Sequence, residues 1–556
     1  MRDPIERFDV KVRYGAITGR LEIDDFLDEF KAMAPSLHRH CNDNDVVDVG
    51  ALIYCTERLP KQIYHIHEVL VQSDIPDKLP GMAGITELRT DARRRTAFDI
   101  GDDTIIVVAR EGVTELLDLV TLLVSFAIEA KKIARLLNDD PLLSEMADPS
   151  LASDDVRRNR CLARLAFVLG VTDDEVVDLD SHWDNELLVR LLHLWKHPPK
   201  IVVRLHKGYS LEAVKARSEA WAQRINQRVT EFVEQHGPLH VLSSNLHSCV
   251  NLLSGFAQRH AEEIWAFAES RPGYAQWDQL RPLKENALYL YMRDWLKAQP
   301  DRLADKVEFE EARGVRNLLD VHHVGIDVQL VDCSKLVPEE WDPRLRLLAQ
   351  RLKDEKPLLL NFDYAFGDQA GIVLDHLFRQ FGRQIASFTV MGKAGTVVGG
   401  RGGVMLPTYL LRQGSDDVYD FPVPNFLTPE DFEGLQLGKV HTGGPMLTVL
   451  GTVLQNDKML HRYRDEWGIL GLEMEGIPYV RSLHQNRKRG YLSDSFKMGV
   501  AYYASDAPLV PGESLSRDLK FEGLDATYGI SLAILNALLG TDRDQPASPR
   551  AGEFGG

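Results

Sequence analysis

Three short stretches in the last third of this 556-residue chain carry residue types that can do chemistry. In GLEMEGIPYV (471–480) an apolar run leads into Glu473-Met474-Glu475-Gly476. A carboxylate there can accept hydrogen bonds from two adjacent sugar hydroxyls, while methionine offers a soft apolar wall. A solvated glutamate pair capping the next helix explains the same residues equally well. In KMGVAYYASDAPLVPGE (497–513) an apolar run ends in Ser505-Asp506-Ala507-Pro508. The proline halts the strand, so Asp506 is presented on a loop. A plain turn or N-cap aspartate is the alternative. The third stretch, MGKAGTVVGGRGGVMLP (391–407), holds six glycines in the thirteen positions from Gly392 to Val404. Glycines let backbone amides turn toward an anion, and Lys393 and Arg401 add positive charge. The order matches neither a P-loop nor G-x-G-x-x-G, and a tight loop alone would read alike.

These residues need elements to hold them. From about residue 320 short apolar runs (HHVGIDVQLVD, PLLLNFDYAF, QIASFTVMG, VMLPTYLL, KVHTGG, GILGLEM and KMGVAYYAS) predict strands. Between them QAGIVLDHLFRQF, LTVLGTVLQNDKMLHRYRDEW and IPYVRSLHQNRK predict helices. Alternation of this kind indicates an α/β fold, a sheet flanked by helices, with ligands at the carboxyl ends of the strands. The preceding region reads as large and mostly helical. EGVTELLDLVTLLVSFAIEAKKIARLL has helical apolar spacing with cations at its end, and residues 210–236 form a long amphipathic helix. Trp265, Trp277 and Trp295 are spaced as core anchors. The polar stretch ADPSLASDD (147–155) reads as a linker. The expected organisation is an N-terminal mainly helical module (1–147), a helical module (156–315), a catalytic α/β domain (316–540) and a disordered tail (541–556).

Bulk properties narrow the function. Hydrophobic residues make up 44% of the chain and charged residues 27%, and 556 residues exceed what one core supports. A formal net charge of −18 opposes a nucleic-acid or anionic-membrane partner, though it leaves room for a local cationic pocket. Five scattered cysteines without a C-x-x-C pair indicate free thiols in a reducing compartment. The N-terminus lacks a signal-peptide core, and the most apolar helical stretch, Leu119 to Ile128, is only ten uncharged residues, half the length of a membrane span. The expectation is a cytoplasmic protein. His38-x-His40 and His65-x-His67 invite a metal reading but lack a matching carboxylate cluster, so neither a metal nor a cofactor is expected. Ser243-Ser244-Asn245-Leu246-His247-Ser248 lacks a G-x-S-x-G context and reads as a helix-starting polar turn.

Taken in order, the motifs resemble the nucleoside phosphorylase and nucleosidase superfamily, and within it the AMP nucleosidases, over residues 355–540. NFDYAFGDQAGIVLDHL resembles the family's strand, turn and helix, and Gly392-Lys393-Ala394-Gly395-Thr396 its G-x-x-G-G turn. His441-Thr442-Gly443-Gly444 resembles its base-contacting strand end, Met474-Glu475 its Met-Glu pair and Ser505-Asp506 its Ser-Asp pair. The resemblance implies cleavage of a purine N-glycosidic bond, with Asp506 as the acid near N7 and Glu475 holding the ribose hydroxyls. It implies substrate contacts from Met474, Ser505, Gly392, Lys393, Gly395, Thr396, Arg401, Gly443, Asp363 and Gly367. It also implies a homo-oligomer whose N-terminal portion serves assembly or completes the pocket. Three departures stand out: Asp363-Tyr364-Ala365-Phe366-Gly367-Asp368 replaces the glycine-rich phosphate turn, Thr396 replaces a glycine, and Lys393 fills a small slot. Acidic Asp363 and Asp368 repel phosphate and favour water, so hydrolysis is expected over phosphorolysis. The rival is a regulatory protein on the same fold that senses a nucleotide without turning it over.

Overall fold

Apolar residues fill the central strands of the larger sheet, and Leu239–Ser243 and Leu358–Phe362 are buried along their whole length, as parallel strands covered by helices require. The computed structural model describes residues 4–73, 85–88, 90–91, 96–110, 112–206, 209, 211–271, 284–413, 421–435, 437–510 and 520–540. Trp277 and the tail 541–556 lie outside the described residues. The chain forms two compact units, Met1–Lys215 with Val449–Leu460, and Ala216–Thr448 with His461–Gly556.

The first unit is mostly helical around one mixed sheet. Its strands are β1 (Arg20–Glu22), β2 (Glu68–Gln72), β3 (Thr86–Leu88), β4 (Ala97–Gly101), β5 (Thr104–Val108) and β6 (Val202–Leu205), in the order β1-β6-β2-β5-β4-β3. The long apolar run becomes the helix Val113–Leu136, buried along most of its length. No described helix is long and apolar enough to cross a membrane. The helix carries a buried polar network: His38 Nδ1 meets Ser125 Oγ at 3.0 Å, His38 Nε2 meets Glu129, and Lys132 pairs with Glu129 at 2.7 Å. His38 is thus committed to packing, while His40 faces Asp43 at the surface. The stretch 147–155 does not divide the units. Its aspartates are caps: Asp148 accepts from the Ser150 amide at the 3₁₀ turn Pro149–Ser153, and Asp154 from the Arg157 amide at the helix Asp155–Leu169.

The second unit holds twelve strands: β7 (Leu239–Ser243), β8 (Val315–Leu318), β9 (Val328–Asp332), β10 (Leu358–Phe362), β11 (Ile385–Thr396), β12 (Val404–Leu406), β13 (Tyr409–Arg412), β14 (Phe421–Pro422), β15 (Val440–Thr442), β16 (Pro445–Thr448), β17 (Gly471–Glu473) and β18 (Lys497–Asp506). Their order is β14-β13-β16-β17-β11-β7-β10-β9-β8, with β18 pairing β11 and β12, and β15 pairing β12. The strands β10, β7, β11 and β18 run parallel, so their carboxyl ends open on one side. Strand β11 is the spine: it pairs β18 along its length, β7 over its first half and β17 at its end.

Two expectations change here. The run 447–467 is a helix only over Asp457–Trp467, because Leu447 and Thr448 extend β16 and Gly451 is fully extended (φ −170°, ψ 146°). Asn456 then opens the helix, its side chain accepting from the Met459 amide. The α/β region also starts well before residue 316, since β7 lies between β10 and β11 and the second unit begins at Ala216. LHVLS is too short and too apolar for periodicity to separate it from a buried helical turn. A fragment of residues 315–545 lacks this central strand. We expect it to aggregate and to show no cooperative thermal transition by calorimetry, and a soluble, cooperatively melting fragment would make β7 dispensable.

Candidate active site

The site is built where β11, β17 and β18 end. Parallel pairing sets Gly392 beside Tyr502 and Ala394 beside Ala504, then skips to Gly395 beside Asp506. Ser505 is the extra residue of this β-bulge, which re-aims the end of β18. Ser505 Oγ donates to Asp506 Oδ1 (2.7 Å) and lies 3.3 Å from the Ala394 carbonyl. Asp506 is 4% exposed. Burial raises its pKa, against the Ser505 hydrogen bond and the charges of Lys393 and Arg401, which pull it down. The bare Cα of Gly395 makes the room: a Cβ there would stand 3.0 Å from Asp506 Oδ2.

On the other edge of β11 the two glutamates take different jobs. Glu473 is buried and accepts from the amides of Glu475 (2.6 Å) and Gly476 (2.5 Å), from the Thr448 hydroxyl, and from Tyr502 Oη at 3.4 Å. It therefore caps the helix Gly476–Lys488 and holds the turn. Glu475 is half-buried, with Oε1 3.4 Å from where a Cβ of Gly392 would stand. That Cβ would also meet the buried Tyr502 ring at 2.7 Å, a clash in a filled core, so only glycine fits. Burial and the neighbouring charge of Glu473 lift the Glu475 carboxyl well above the ordinary range. Glu473 is raised less far, since its hydrogen bonds favour the ionised form.

The structure gathers most, but not all, of the residues singled out in the sequence. Met474, Glu475, Gly392, Gly395, Ser505 and Asp506 converge, with the charges of Lys393 and Arg401 acting on Asp506. The loop carrying Arg401 is tied to β18, since the Gly402 amide donates to the Ala504 carbonyl (2.9 Å). Thr396 is buried in the sheet, its hydroxyl 3.4 Å from the Leu470 carbonyl and accepting from the Val398 amide. Gly443 sits in an exposed turn (φ +83°) just before the start of β16, whereas the end of β16 that reaches Glu473 is Thr448. Asp363 and Gly367 lie beyond the carboxyl end of β10, two strands from β11. The Asp363 carboxylate accepts from the Tyr364 amide, and Gly367 (φ 55°, ψ −133°) opens the helix Asp368–Phe381 in a conformation that favours glycine.

Tyr502 is fully buried and belongs to the core. Tyr503 is hydrogen-bonded to Thr527 and Tyr364, and Tyr364 also to Asn245. Tyr364 was missed, although an aromatic residue inside the altered turn was the available signal. The Asn245 side chain accepts from the amides of His247 (3.1 Å) and Ser248 (2.7 Å), so this stretch is the helix-starting turn expected of it. Among the described residues no group of three or more His, Cys, Asp or Glu is arranged to hold a metal.

Similar solved structures include the 5′-methylthioadenosine/S-adenosylhomocysteine nucleosidase of Campylobacter jejuni, 9% identical, covering 54% of this chain and 98% of that one, at a TM-score of 0.31. The corresponding nucleosidase of S. pneumoniae is 15% identical, covering 43% and 96%, at 0.28. Purine nucleoside phosphorylase from Toxoplasma gondii is 10% identical, covering 55% and 90%, at 0.29. Such low scores assign no activity to this chain. No curated protein matches it. Residues 23–540 match the family described as "Family of unknown function (DUF6909)", and the chain belongs to that family.

Proposed function

We propose that this protein cleaves the N-glycosidic bond of a purine nucleoside or nucleotide, with water as the nucleophile. The observation that carries this reading is the pair of carboxyl groups ranged along β11, Glu475 beside Gly392 and Asp506 beside Gly395. Three residues of strand separate the two glycines by roughly 10 Å, about what a nucleoside spans with a hydrogen bond at each end. Burial raises the Asp506 pKa, which favours its protonated form, and Ser505 orients it. As the bond between the anomeric carbon and the base breaks, its electron pair moves to the base and the Asp506 proton goes to N7. Water adds to the anomeric carbon, and the proton it loses restores Asp506. Glu475 accepts from the 2′ and 3′ hydroxyls and fixes the sugar for in-line approach. Asp363 and Asp368, beyond the carboxyl end of β10, disfavour phosphate and support hydrolysis.

The direct test is release of free base from AMP, adenosine, inosine and methylthioadenosine, with and without phosphate. Binding without release in every case would make the protein a sensor. Asp506→Asn should lower base release by about 10²–10⁴ with an unchanged melting temperature, because an amide donates no equivalent proton. Activity within a few-fold of the parent would exclude Asp506 as the acid.

The pH profile carries a sign. Only protonated Asp506 donates, and its pKa is raised, so kcat/KM should fall as pH rises through a value above the ordinary carboxylate range. A profile flat across that range would count against it.

Glu475→Gln should lower kcat/KM for ribosyl substrates more than for 2′-deoxyribosyl substrates, because the amide replaces one of the two acceptor oxygens with a donor. Equal losses on both sugars would remove Glu475 from ribose recognition.

A further inference from the structure

The second unit contains a cavity that shares no lining residue with the carboxylate site. The helices Lys284–Ala298, Asp301–Ala312 and Lys520–Leu539 border a volume of about 410 Å³. That is the size of a small-molecule pocket. Its flat wall is the stacked pair Tyr289 and Tyr528, with ring centroids 4.4 Å apart and planes 8° from parallel. Both hydroxyls are hydrogen-bonded, Tyr289 donating to Asp342 (2.6 Å) and Tyr528 accepting from Asn251 (2.8 Å), and both rings are almost fully buried, so the pair is a packed, rigid backing to the cavity. Leucines complete the apolar lining, among them Leu303, which is 53% exposed.

Among the described residues, the charged side chains lining the cavity are cationic (Arg293, Lys297 and Lys306), in a chain whose net charge is −18. Arg293 and Lys297 stand one turn apart on one helix and so share a face. Lys306 is committed to a pair with the buried Glu310, whereas the exposed Arg293 meets the half-buried Asp294 at 3.1 Å, a pairing of about 0–1 kcal/mol that a ligand can outcompete. Lys297 makes no ion pair among the described residues. The His247 ring also faces the cavity, 6.1 Å from Tyr528, and its nitrogens have no hydrogen-bond partner among the described residues.

We propose that this cavity binds a small amphipathic carboxylate, its apolar body against the leucines and its anionic head at Arg293 and Lys297. A neutral apolar molecule would leave Lys297 without an ionic partner, and an organic cation would be repelled by both side chains. The site is independent of the nucleosidase reading, since Asp506 and Glu475 do not line it.

The experiment is titration calorimetry on the full chain with decanoate, decanol and decylammonium. Decanoate should bind at least about tenfold more tightly than decanol, and decylammonium should not bind. Charge reversal in R293E/K297E, at two exposed positions, should weaken decanoate by about tenfold or more with an unchanged melting temperature. Leu296→Trp, which fills the cavity, should abolish binding of decanoate and decanol alike, and Asp506→Asn should leave decanoate binding intact. Equal affinity for all three probes, decanoate binding unmoved by charge reversal, or no decanoate binding at millimolar concentration would each overturn the proposal.

Discussion

The parallel pairing of β11 with β18 is the constraint on which the second unit depends. It runs from Ser387 beside Lys497 to Gly395 beside Asp506 and is buried on both faces, by Phe388, Val390, Met498 and Val500 on one side and Met391 and Ala501 on the other. A one-residue slip would exchange these faces and place the Tyr502 ring opposite a side chain with a Cβ. Register is therefore specified by packing. Given that register, Gly392 falls where Tyr502 and Glu475 need space, and Gly395 where Asp506 does. The bulge at Ser505 turns the last residue of β18 out of simple alternation.

Three carboxyl groups within this small region meet different electrostatic fates. Glu473 is met by two helix-start amides and two hydroxyls, so its charge is solvated by the protein. Glu475 has one internal hydrogen bond, from the Met474 amide, and stands next to that charge. Asp506 has one donor, Ser505, and feels Lys393 and Arg401 only as charges. Desolvation raises all three, and the number of donors decides how far each is held back. A structural carboxylate and two available ones thus arise from the same sheet end. The same logic separates the histidines: His38 is consumed by Ser125 and Glu129 within the first unit, whereas His247 keeps its ring nitrogens free at the edge of a cavity.

The sequence alone determined the α/β character of the C-terminal region, the long buried helix Val113–Leu136 and the strand ends at Met474-Glu475 and Ser505-Asp506. These are local signals: unbroken apolar runs, helical spacing, and proline or glycine that stops a strand. Tertiary structure alone decided which strands are neighbours, because pairing joins residues far apart in the chain. It brought in β7, whose five residues carry no distinguishing period, and it turned the polar stretch at 147–155 into helix caps by supplying amides for its aspartates. It also separated residues that adjacent motifs suggested would meet. Gly443 precedes the start of β16, whereas Thr448 at its other end reaches Glu473. Finally, burial and donor count depend on every element packed around a group, so which glutamate caps a helix and which stays available was readable only from the folded chain.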